Sequence, residues 1–126
     1  MPGPTPSAPA LVLLAAGLSA CSPGAEPASS TTIDPNDPVV SITAHQWSYS
    51  PDTITLQEGV AVTLDLVSED VHHGFNLPDF DLRADVLPVM HTLVRLVPNK
   101  KGTFTFLCDY YCGSGHEDMN GMLVVQ

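Results

Sequence analysis

Near the C-terminus the stretch CDYYCGSGHEDM, Cys108 to Met119, places two cysteines, a histidine and a methionine within twelve residues of a chain that has only three cysteines. A thiolate, an imidazole nitrogen and a thioether sulfur form a soft ligand set, which favours copper over the hard cations that seek oxygen. Zinc would also accept the cysteines and the histidine. The methionine discriminates, because zinc sites are built from Cys, His and carboxylates, whereas a weak axial Met recurs in copper sites. A single copper needs one Cys, one or two His and the Met, so Cys112, His116 and Met119 supply the loop half of such a site and Cys108 is an additional thiol. Two thiolates facing one pocket can bridge two copper ions. By formal count such a pair moves only between about +1 and neutral, since thiolates are the binding form. A charge change that small, spread over two metals, suits single-electron transfer rather than substrate binding. The competing use of Cys108 and Cys112 is a structural disulfide, against which His116 and Met119 at these spacings weigh.

A second histidine has to come from elsewhere. EDVHHGFNLP offers His72 and His73 at the end of an apolar strand and beside a glycine; neighbours on an extended chain point to opposite faces, so at most one of them faces the loop. The elements that must bring these pieces together read as strands. VVSITAHQWSYSP is β-rich, DTITLQ alternates, and VAVTLDLV alternates with Val60, Val62, Leu64 and Leu66 on one face. MHTLVRLVP and GTFTFLC repeat the alternation across a PNKKG turn, and GMLVVQ closes the chain as a short apolar strand. No stretch from residue 39 onward sustains a helical period. Short strands with Gly, Pro and Asp punctuation predict an all-β sandwich of Greek-key type over 39–126. Cys108 then ends one strand and the next begins just after Met119, so the twelve residues form a loop on a rigid scaffold, a common place for a metal site.

Composition fits one small domain: 126 residues, 44% of them hydrophobic, with a single Trp. A formal charge of −10 argues against a nucleic-acid backbone or an anionic lipid surface as partner and for a basic protein. All the acidic residues lie after residue 20. Before them, residues 1–20 read as a signal peptide, with an apolar run too short to span a bilayer. LSAC, Leu18 to Cys21, resembles the lipobox of bacterial lipoproteins, which implies a lipid anchor on Cys21 and an extracytoplasmic location. The n-region MPGPTPSAP carries no Lys or Arg, a departure from that pattern. Residues 21–38, rich in Pro, Ser, Thr and Ala, are expected to be a flexible tether.

The C-x-x-x-C-x-x-x-H-x-x-M spacing of the loop resembles the dinuclear copper A centre of cytochrome c oxidase subunit II and of the C-terminal domain of nitrous oxide reductase, within the cupredoxin superfamily. The similarity runs from about AHQWSY to the C-terminus. It implies a cupredoxin fold in which Cys108 and Cys112 bridge both coppers and His73 and His116 each bind one. Met119 and the backbone carbonyl of Tyr110 are the implied weak ligands. His73 is preferred to His72 because it follows Asp70 by three residues and directly precedes GF, as the family places it. Trp47 matches a family tryptophan associated with electron uptake from a c-type cytochrome, a basic donor of the kind the acidic chain suits. The resemblance also departs in places. Tyr110 stands where the oxidase loop has Glu, a leader and tether stand where the oxidase subunit has transmembrane helices, and the reductase's catalytic domain has no counterpart.

The function expected is therefore a two-copper electron relay between a cytochrome and a terminal oxidase or reductase, transforming no substrate alone. The alternatives are a periplasmic protein that binds and delivers copper, and a disulfide-closed interaction sandwich. Phe104, Phe106 and Leu107 are expected in the core, and so are Met90 and Met122; His45 and His91 are given no role. Lys100 and Lys101 read as a solvated turn, Glu117 and Asp118 as exposed, and Trp47 has core packing as its other use.

Overall fold

A computed structural model describes residues 2–4, 29–30 and 32–126; the apolar run 10–20 and Cys21, the expected site of lipid attachment, lie outside the described residues. Strands β1 (Ser29–Ser30), β2 (Val39–His45), β3 (Ser48–Ser50), β4 (Thr53–Leu56) and β5 (Val62–Ser68) are followed by β6 (His73–Leu77), β7 (Leu82–Val86), β8 (Thr92–Leu96), β9 (Gly102–Leu107) and β10 (Asn120–Val125). They form two five-stranded sheets, ordered β1-β8-β5-β2-β3 and β4-β10-β9-β6-β7. Most neighbours are antiparallel, but β2 runs parallel to β5 and β10 parallel to β4, so the strand order crosses between sheets as a Greek key requires. Two three-residue 3₁₀ turns, Pro78–Phe80 and His116–Asp118, complete the described structure.

The alternation in the sequence sets which residues meet between the sheets. Ile42 and Ala44 from β2, Leu64 and Leu66 from β5, Phe75 and Leu77 from β6, Phe106 from β9 and Leu123 from β10 are buried in one shared core. Its middle is aromatic: the Tyr49 ring meets Phe106 edge-on at 5.0 Å, and Phe75 lies 4.9 Å from Phe106. Four expectations are corrected, two of them by the same alternation. Leu107 sits between inward Phe106 and Cys108 and is exposed; Met122, next to buried Leu123, points out for the same reason. Val60 precedes β5 instead of belonging to it, because Gly59 at φ 78° turns the chain there, and its side chain is exposed. Met90 lies in the loop before β8 and is exposed as well.

Of the expected tether, Ser29–Ser30 pair with Leu96 and Arg95 of β8, and Asp37 accepts from Arg95 at 2.8 Å. Lys100, in the turn between β8 and β9, lies over the rings of Phe80 and Phe104 at 5.1 and 5.5 Å. Among the described residues no helix is long and apolar enough to cross a membrane. The strand directions bring the ends of β2, β5 and β9 and the starts of β3, β6 and β10 to one end of the sandwich, where the twelve-residue loop lies.

Candidate metal centre

The loop begins where β9 stops and is closed on itself by the backbone. The Cys108 N–H donates to the Met119 carbonyl at 3.1 Å, so the first and last residues of the stretch are clamped together before β9 and β10 pair. Between them His116–Asp118 forms a single 3₁₀ turn whose closing bond runs from the Met119 N–H to the His116 carbonyl. Side chains three apart eclipse in a 3₁₀ turn, which is why an H-x-x-M spacing can aim both side chains the same way. His116 Nδ1 lies 3.6 Å from the Cys112 sulfur and the Met119 sulfur 3.8 Å from it. The two cysteine sulfurs are 3.5 Å apart and unbonded, and both side chains are buried. The Cys108 thiol lies 3.0 Å from the Tyr110 carbonyl, so that oxygen turns toward the same pocket.

The other half comes from β6. His73 is fully buried, and its ligand nitrogen lies with the two cysteine sulfurs inside a 4.8 Å cluster. Its Nε2–H donates to Asp70 at 2.8 Å, which leaves Nδ1 as the free lone pair; that atom is buried and without a hydrogen-bond partner. Asp70 is suited to this. Burial works against its charge, but the backbone N–H groups of Gln46 and Val71 and the His73 ring hold its carboxyl down to about 2. A carboxylate behind an imidazole fixes the ring's tautomer and aim, a common arrangement behind metal-binding histidines. His72 points the other way, as alternation predicts, and stacks on the Tyr110 ring at 3.7 Å.

The β2–β3 turn closes the site from the side. The Gln46 backbone N–H donates to Asp70 at 2.7 Å and its side-chain amide to the Cys112 carbonyl at 2.9 Å, tying the two halves together. Trp47 is 41% exposed, with its ring against Gly113 and Gly115, so it is neither a core residue nor a free one. Underneath, the Tyr49 hydroxyl donates to the Gly74 carbonyl at 2.6 Å and the Gly74 N–H to the Cys108 sulfur at 3.4 Å. Gln46, Tyr49 and Asp70 belong to the site's support, and sequence reasoning assigned them no part; only the Asp70 spacing to His73 carried a signal.

The donors present fit a soft cation. Burial, then the neighbouring Cys108 sulfur, pushes the Cys112 thiol up to about 12, so without a positive charge in the pocket the Cys112 sulfur keeps its proton. A metal supplies that charge and ionises coordinating thiols. The orphaned His73 Nδ1 gives the same indication, since a buried polar atom normally has a partner.

This fold and this cluster define a class: a β-sandwich of the cupredoxin type with a soft-ligand pocket at one end. Residues 10–125 match the cupredoxin-like domain family, to which the chain belongs, and it is homologous to the copper A domains of cytochrome c oxidase subunit II and nitrous-oxide reductase. Cytochrome c oxidase subunit 2 of Thermus thermophilus is 32% identical over 105 residues, covering 82% of this chain and 78% of that protein. Nitrous-oxide reductase of Ralstonia nicotianae is 32% identical over 91 residues, 69% of this chain but 14% of the reductase. Among solved structures, the periplasmic domain of subunit II of cytochrome oxidase of Bradyrhizobium japonicum superposes with a TM-score of 0.69 at 19% identity, over 75% of this chain and 88% of that one.

Proposed function

We propose that the protein is an extracytoplasmic, lipid-anchored electron carrier that holds two copper ions and relays single electrons from a basic c-type cytochrome to a terminal oxidase or reductase. The observation that carries this is the convergence on one buried pocket of two unbonded cysteine sulfurs 3.5 Å apart, with His116, Met119 and an unpartnered His73 nitrogen around them. In this reading Cys108, Cys112, His73 and His116 would hold the copper ions, and Met119 and the Tyr110 carbonyl would serve as weak ligands. When bound, the copper pair supplies a one-electron couple whose charge change is spread over two metals. The protein's own residues do the rest. Asp70 orients His73, Gln46 fixes Cys112, and Trp47 offers an exposed aromatic edge against the loop at the surface where a donor would dock. The formal charge of −10 favours a basic donor and speeds its encounter. Homology to subunit II supports a terminal oxidase as acceptor.

The test is copper stoichiometry together with the paramagnetic spectrum of the same sample. Expected are a purple protein, close to two coppers per chain, and a seven-line hyperfine pattern from one unpaired spin shared by both metals. A blue protein with one copper and a four-line pattern overturns the two-copper reading. Met119→Leu, a nearly volume-conserving change that costs the fold under about 1.5 kcal/mol, is expected to keep both coppers and shift the reduction potential.

A further inference from the structure

The outer face of β6 and β7 carries a set of contacts that the relay does not account for. Arg83 and Asp85 are two residues apart on β7, so both side chains leave the same face, and both are exposed. In register, Asp85 lies opposite Gly74 of β6, and Arg83 opposite Asn76, which itself pairs with Leu107 of β9. Gly74 therefore lies between β7 and the start of the metal loop, and having no side chain it leaves a saddle there. The carboxylate of Asp109, the residue after Cys108, fills it; a methyl group added at Gly74 would run into that carboxylate. Across the saddle the Arg83 Nε–H donates to Asp109 at 2.7 Å, while its Nη1–H donates to Asp85 at 2.7 Å. Asp85 also accepts from His72 at 3.2 Å, and the His72 ring lies flat on Tyr110.

We propose that Arg83 is a positioning residue of the metal loop: it holds Asp109 directly and Tyr110 through Asp85 and His72, and so fixes the segment that presents the Cys108 sulfur and the Tyr110 carbonyl. The inference rests on the two-copper reading above. Its physical basis is geometric. Exposed ion pairs contribute little to folding stability, but here one guanidinium braces two consecutive loop residues, and the carbonyl of the second, Tyr110, faces the pocket together with the sulfur of the preceding Cys108. Both carboxylates of the bracket accept charge-assisted bonds, which are short and directional. The direction of the Arg83 and Asp85 shifts agrees, each driven first by their mutual or Asp109 hydrogen bonds. A merely solubilising arginine would show neither the saddle nor the double bracket.

The experiment compares copper-loaded wild type with Arg83→Leu, Arg83→Lys, Asp109→Asn and the double variant Arg83→Leu/Asp109→Asn. Arg83→Leu is expected to retain two coppers, to shift the reduction potential and broaden the hyperfine pattern, and to lose copper to a chelator about tenfold faster, the low end for residues that orient metal ligands. The urea midpoint of its metal-free form should stay near that of wild type. Arg83→Lys should restore part of the change, because it keeps the charge without the fork, and the double variant should be no worse than the worse single one, as partners in one bracket are not additive. Potential, hyperfine pattern and copper loss all unchanged in both Arg83→Leu and Asp109→Asn overturn the inference. A wild type without two coppers instead overturns the reading on which it rests, and the two failures are distinguished in the same series.

Discussion

The hydroxyl of Tyr49 sits at the base of the pocket, donating to the Gly74 carbonyl while the N–H of Gly74 donates to the Cys108 sulfur. Burial, and then the nearby Cys108 sulfur, raises this phenol well above the ordinary tyrosine range, so it stays a donor throughout the working pH range. Tyr49→Phe removes that donor and leaves the ring contacts with Phe75 and Phe106 intact. A loss of about 1–2 kcal/mol is expected, the cost of a buried acceptor deprived of its partner. Urea unfolding of the metal-free protein measures it; an unchanged midpoint would show that the carbonyl has found another donor. Tyr49 was not legible as a support residue, because in SYS it is simply the inward position of a short strand. Cys108, Cys112, His116 and Met119 were legible as a chemical set because all four fall within one loop and their spacing is a local property of the chain. His73 was legible only through resemblance, since alternation alone leaves it equal to His72.

At the level of elements, the loop is set by two turns that fit into each other. The 3₁₀ turn at His116–Asp118 is entered through Gly115, and the β2–β3 turn places the Trp47 ring where a side chain at 115 would be. Gly115→Ala forces the indole or the turn to move. The expected cost is about 1–3 kcal/mol, as for overpacking at a tight contact, with a shift of the fluorescence maximum. The chain has one Trp, so that emission reports the surroundings of Trp47. A variant with wild-type emission and wild-type urea midpoint would mean that the two turns do not depend on each other. Among the strands, β4, β5, β8 and β9 were readable from period-2 patterning, β2 from its β-rich composition and β10 as a short apolar run. β6 and β7 were missed. Gly74 and Asn76 interrupt the apolar pattern of HGFNL, and LRADV is five residues long. The polar and glycine positions that hid these strands are the ones that make room for Asp109 and carry Arg83, so function and legibility compete for the same residues.

Across the whole molecule, charge is unevenly placed along the sandwich. Lys100 and Lys101 stand in the turn between β8 and β9, away from the loop and beside Asp79 and Asp81, while Glu69, Asp70, Asp85, Asp109, Glu117 and Asp118 lie around the end that carries the loop, with Arg83 paired to two of them. Under the proposed function a basic donor would be drawn toward the pocket end before any contact forms, and Trp47 with exposed Tyr110 and Tyr111 would give it an apolar surface to settle on. The two contributions separate experimentally because only one is screened by salt. The rate of electron uptake from a reduced basic c-type cytochrome is expected to fall by roughly tenfold or more as ionic strength rises from about 0.01 to 0.5 M, over which the Debye length contracts from about 30 Å to a few ångströms. Trp47→Phe should lower the rate at every ionic strength while leaving the slope against salt unchanged, because it removes contact and no charge. Glu117→Gln with Asp118→Asn should do the reverse, flattening the slope with little effect at high salt, where long-range attraction is already gone. A rate that ignores salt in wild type would mean that the acidic end does not steer the donor, and the choice of a basic cytochrome would fall with it.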